Sequence, residues 1–148
     1  CSLQIFILLP ILNYMICDYG TIISSRFSTM LHEGMLNKKI LLNKMLTKLF
    51  YEVFSIALIT SLFSALLSFI VSLFSNYSFN FTFILKILFV TLLDTSILVA
   101  VLFIIAIYWG LYFYNKEEDP NNFLIPITTS IADLGNMFLL AILIVLIF

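Results

Sequence analysis

Charge is what this chain has least of. Of its 148 residues only 10% are Asp, Glu, Lys or Arg, against 63% with hydrophobic side chains. A soluble domain of this size exposes a large surface and cannot cover it with so few charges, so a water-soluble fold is excluded. Nor is there an excess of positive charge: the net charge is −1, and no nucleic-acid partner is expected. Cysteine is scarce too. Cys1 and Cys17, placed on one helix, would stand about 24 Å apart, too far to bridge each other. Neither lies in a Cys-rich stretch that would bind metal. The single histidine, His32, sits beside Glu33 at a helix end and reads as a surface group. A membrane enzyme such as a lipid phosphotransferase would need aspartates clustered near a membrane face, and the sequence offers no such cluster. The protein is therefore not expected to be an enzyme. No basic segment precedes the first apolar run, so that run is not read as a signal peptide. The chain starts at Cys1 without a methionine and reads as cut or processed there.

What the chain has in abundance is long apolar runs. Four can be drawn, over residues 3–31, 49–74, 83–114 and 123–148. A span of a ~30 Å hydrocarbon core needs roughly 20 residues, so each is long enough to cross a bilayer, and the first and third tilt or project beyond it. The expected class is an all-α integral membrane protein with lipid around it. Six of its seven basic residues fall on the first and third connections or their flanks: Arg26, Lys38, Lys39, Lys44, Lys48 and Lys116. Those connections are expected to be cytoplasmic and the C-terminus outside, in a plasma membrane. The sequons at Asn76 and Asn80 lie in the connection that this topology places outside.

In the second segment Ala57, Ser61, Ser64, Ala65, Ser68 and Ser72 recur at helical spacing. Such a stripe reads either as a polar pathway or as close helix packing, the serines bonding their own helix carbonyls. Sharper signals come from carboxylates. Asp18, Asp94 and Asp133 lie within apolar runs, where each is costly by about 2.5–3.5 kcal/mol on insertion scales. None has a lysine or arginine at its own depth. Each is either protonated and hydrogen-bonded in the packing, or holds a bound cation. Thr129 stands four residues before Asp133 and Asn136 three after, which puts both on the aspartate's helix face. Thr128 and Pro126 lie close by, and Pro126 frees a backbone carbonyl. Thr91 and Thr95 bracket Asp94. Hard oxygen donors of this kind suit Mg2+, Ca2+ or Mn2+.

The stretch "DPNNFLIPITTSIADL" resembles the terminal-helix signature of the MgtE-type divalent cation transporters and their eukaryotic solute-carrier relatives. Asp119, Pro120, Pro126, Thr128, Thr129 and Asp133 follow that signature in order. The first segment is similar to another family helix through Pro10, Gly20, Arg26, Ser28, Thr29 and Gly34. The resemblance implies a five-helix unit working as a homodimer or as two fused halves, with the cation path on the pair's axis. It implies Mg2+ (or Mn2+ or another divalent ion) as the transported ion and the carboxylate at Asp133 as its central ligand. Asp18 would add charge at the pore wall, with Thr129, Asn136, Thr128 and Asp94 lining the path or supporting the ligands. The sequence departs from the family in three ways. Four helices are visible, so the family's first helix is expected to be missing. The family's Gly-Asn pair is Cys17-Asp18, and a sensing domain before the helices is not expected. The alternative is a non-conducting accessory subunit packed against a complete transporter half.

Overall fold

The computed structural model describes residues 2–34, 44–74 and 81–147, with side chains described over 7–34, 44–71 and 82–147. Among the described residues four α-helices follow one another, α1 (Ser2–His32), α2 (Lys44–Phe74), α3 (Phe81–Tyr114) and α4 (Pro120–Ile147). All four are long and apolar enough to cross a membrane, so the protein is an all-helical integral membrane protein. The second sequon's Asn80, the first sequon and Lys38–Lys39 lie outside the described residues.

All four helices begin before the apolar runs that announced them, α2 and α4 by the most. α2 starts at Lys44, because Lys48 and Glu52 pair at 3.7 Å across one turn and carry the helix beyond its apolar part. α4 starts at Pro120. Asp119 accepts the backbone N–H of Asn121 at 3.0 Å, and proline at the first helical position gives up a donor that would have no partner there. That N–H, and then His32 at 3.4 Å, hold the Asp119 carboxyl below its usual range. The α3–α4 connection is short because α3 ends in a tight cap: Glu117 N–H donates to the Tyr114 carbonyl and Glu118 N–H to that of Phe113. Glu117 supplies the left-handed residue of this cap, at φ 61°.

α1 and α3 form the middle of the bundle, each packed against both α2 and α4, while α2 and α4 do not meet among the described residues. The core is apolar, with Leu12, Ile16, Ile23, Phe27, Val99, Leu102 and Leu124 buried. So is most of the outside, where Phe63, Ile104, Phe138 and Val145 are exposed. Such a surface belongs in hydrocarbon, where helices associate by close packing rather than by a hydrophobic drive. The serine stripe of α2 serves that packing. Ser61, Ser64 and Ser68 are buried, and Ser61 and Ser64 donate to their own helix carbonyls at 2.8 Å. Lys86, near the start of α3, donates to the Ile147 carbonyl at the end of α4 at 2.7 Å.

Gly110 shows how close the packing is. A Cβ there would stand 2.6 Å from Cε1 of Phe27 and 3.1 Å from Leu124. The Phe27 ring is buried and cannot swing away. Gly110→Ala is therefore expected to destabilise the bundle by about 1–3 kcal/mol. Phe27→Leu in the same chain should restore part of the loss. Unfolding in mild detergent checks this, and an Ala variant as stable as the parent would contradict the packing described.

Candidate functional site

A polar layer crosses this apolar bundle. Its outer end is Asp133, which α4 turns to the outside of the four helices, where it is exposed. Two side chains of α1, one turn apart, reach it. Asn13 Nδ2 donates to Asp133 Oδ1 at 2.7 Å, and Cys17 Sγ donates to the same oxygen at 2.9 Å. Thr129, one turn before Asp133, donates its hydroxyl to the Ile125 carbonyl at 2.8 Å and so remains half-buried at the edge of the layer.

From Asn13 the layer continues inward. The Asn136 amide lies between Asn13 Oδ1 and Asp94 Oδ2. In one orientation its Nδ2 donates to Asn13 Oδ1 at 3.0 Å; in the other it donates to Asp94 Oδ2 at 2.8 Å. Asp94 ends the layer inside the bundle. It is 0% exposed, and its Oδ1 has no hydrogen-bond partner. Thr91 and Thr95, which bracket it in sequence, direct their hydroxyls to carbonyls of their own helix at 3.0 and 2.8 Å.

The sequence-based placement needs revision at two threonine and asparagine positions. Asn136 does not share the open face of Asp133. It is buried, because three residues advance the helix by less than a full turn and α4 uses that offset to face α1 and α3. Its link to Asp133 runs through Asn13. Thr128 faces the bundle as well. It is fully buried, meets Ser24 Oγ at 2.9 Å, and lies against Gly20, where an added Cβ would stand 3.3 Å from its own. It joins α1 to α4 and does not line the open face. Asp18 is exposed on α1 next to Cys17. Among the described residues no three His, Cys, Asp or Glu side chains gather closely enough to hold a metal ion by themselves.

Asn13 and Cys17 are the members that a search for carboxylates passes over. Their signal was present: an asparagine within an apolar run, and a cysteine four residues on, share a helix face with each other.

A bundle of membrane-spanning helices with an ionisable side chain open on one face, backed by a chain of amides, defines a membrane protein that handles a polar or ionic solute. The family model for MgtE, a divalent cation transporter, matches residues 9–143. The chain belongs to that family, whose members are transporters and not enzymes, and its general function is divalent cation transport. No curated protein and no solved structure matches the chain.

Proposed function

We propose that the chain carries Mg2+ across a plasma membrane along the face shared by α1 and α4, with Asp133 as the central ligand, and that a second MgtE-like half closes the path. The exposure of Asp133 carries this reading. Most of the outer surface suits hydrocarbon, but on this face polar groups recur at helical spacing, with Asp18, Thr21 and Ser25 on α1 and Ser130 and Asp133 on α4. A carboxylate left against lipid is unfavourable, and a like face brought against it would remove both from hydrocarbon. The pairing also answers the shortage of ligands. One half offers Asp133 with the Asn13 amide and the Cys17 thiol beside it, and two halves double that set. Mg2+ keeps several of its waters, so few direct protein ligands suffice. Asp18, one residue along from Cys17, adds negative charge to the approach. The lysine-bearing α1–α2 connection would face the cytoplasm and the C-terminus the outside.

Cysteine cross-linking tests the pairing. Cysteines introduced singly at Ser130 and Leu134, in a chain with Cys1 and Cys17 replaced by serine, are expected to give disulfide-linked dimers in membranes. A cysteine at Ile104, on α3, should not. Linkage through Ile104 with none through Ser130 or Leu134 would contradict the shared face. Linkage of the Asp133 face to a different protein only would favour the accessory reading.

A further inference from the structure

The polar layer has a property that its separate bonds do not. An amide offers a donor on one side and an acceptor on the other, so a chain of amides has a direction. Asp133, Asn13, Asn136 and Asp94 form such a chain, with contacts of 2.7, 3.0 and 2.8 Å. If both ends are acceptor-only carboxylates, two oxygens must meet somewhere along it. With Asn13 Nδ2 on Asp133 and Asn136 Nδ2 on Asn13 Oδ1, the Asn136 oxygen faces Asp94 Oδ2, and that contact is matched only if Asp94 is protonated. With Asn136 turned, its nitrogen serves an ionised Asp94. Its oxygen then accepts the Asn13 backbone N–H at 3.2 Å and faces Asn13 Oδ1 at 3.0 Å, an oxygen–oxygen contact that is relieved when the Asn13 amide turns too. That brings Asn13 Oδ1 against the Asp133 carboxylate in place of the N–H. Two oxygens are then adjacent with no hydrogen between them, which is an arrangement that a cation completes.

We propose that Asp94 is an internal proton-binding site linked through Asn136 and Asn13 to the cation site at Asp133, so that binding a divalent cation releases a proton. This rests on the reading of Asp133 as the cation ligand. In the proton-loaded state the Asn13 amide nitrogen occupies an oxygen of Asp133. In the cation-loaded state the O–H bond of Asp94 breaks, its electron pair stays on the carboxylate, and water takes the proton. Asn13 then presents its carbonyl oxygen beside Asp133 as a further hard ligand. The burial of Asp94 and its unpartnered Oδ1 are the independent mark of a site built for a change of state rather than for packing alone. Other titratable groups on the helices packed against α3 are few. α1 carries Tyr14, Cys17, Asp18 and Tyr19 within two turns of Asn13, followed by Arg26 and His32 toward its end; α4 carries Asp133; and α2 carries none after Glu52.

Calorimetric titration of the full-length protein with Mg2+ in lipid nanodiscs, in two buffers of different ionisation enthalpy, counts the protons released. Asp94→Asn keeps the size and has no proton to release, because its amide can serve either arrangement without titrating. The parent should release close to one proton more per cation than this variant. Its Mg2+ affinity should rise with pH by up to about tenfold per unit more steeply. Asn136→Leu, which cuts the chain but leaves Asp94, should lose the same proton. Equal release from the parent and both variants, with each eluting as the parent does, would overturn the proposal. Asp133→Asn separates the two readings. If it binds Mg2+ as the parent does, the ligand assignment fails. If it loses binding while Asp94→Asn changes neither release nor pH slope, the ligand assignment stands and the proton link falls.

Discussion

Asp133→Asn should lower Mg2+ flux into dye-loaded vesicles by roughly tenfold or more at equal inserted protein, because the attraction between a carboxylate and a doubly charged ion is least screened in a low-dielectric site. The fold should survive. Asp133 stands on the outside of the bundle, its partners Asn13 and Cys17 are polar groups at the same surface, and removing a charge from a membrane segment does not oppose insertion. A purely structural Asp133, protonated and hydrogen-bonded, gives the reverse pattern. Asparagine then replaces it with little loss, and only Asp133→Leu, which takes away the acceptor of the Asn13 amide nitrogen, disturbs the protein. Flux at the parent level from the Asn variant, with impaired assembly from the Leu variant, would establish that reading instead.

Modification of Cys17 should have an effect of similar size. The thiol is half-buried, and its sulfur lies 2.9 Å from Asp133 Oδ1 and 3.9 Å from the Thr129 carbonyl. A methanethiosulfonate adduct would occupy the space beside the carboxylate and exclude a hydrated ion. In a Cys1→Ser background, modification is expected to abolish most of the flux, and Cys17→Ala should make the protein indifferent to the reagent. Mg2+ present during the reaction should slow it, since ion and reagent compete for one place. Full flux from protein shown by mass to be modified at Cys17 would remove the α1–α4 face from the ion path.

The helices themselves were readable because the bilayer imposes one length and one composition on whatever crosses it. Their ends were less so. The apolar run of α4 begins at Phe123, but its helix begins at Pro120, where an aspartate cap and a proline decide the matter. Asp133 was legible as an expensive charge in an apolar run, and the family signature around it pointed to the same residue. Its partners were not, because helical spacing ranks neighbours within one helix and carries no information about which helix comes alongside. Spacing groups Asn136 with Asp133, and the family signature groups Thr128 with it, yet both turn inward, toward Asn13 and Asp94 in the first case and toward Gly20 and Ser24 in the second. Asn13 and Cys17 meet Asp133 across 120 and 116 residues of chain, which only the packing of α1 on α4 brings together.

Anomalous diffraction from crystals of the protein grown with Mn2+, which takes the same hard oxygen ligands as Mg2+, tests the central claim most directly. The account predicts a manganese peak on the α1–α4 face between two copies, at about 2.1 Å from an Asp133 carboxylate oxygen or separated from it by one ordered water, and no such peak in Asp133→Asn crystals. A manganese peak coordinated elsewhere in the membrane region, with the Asp133 carboxylate against lipid and unchanged by the substitution, would contradict it.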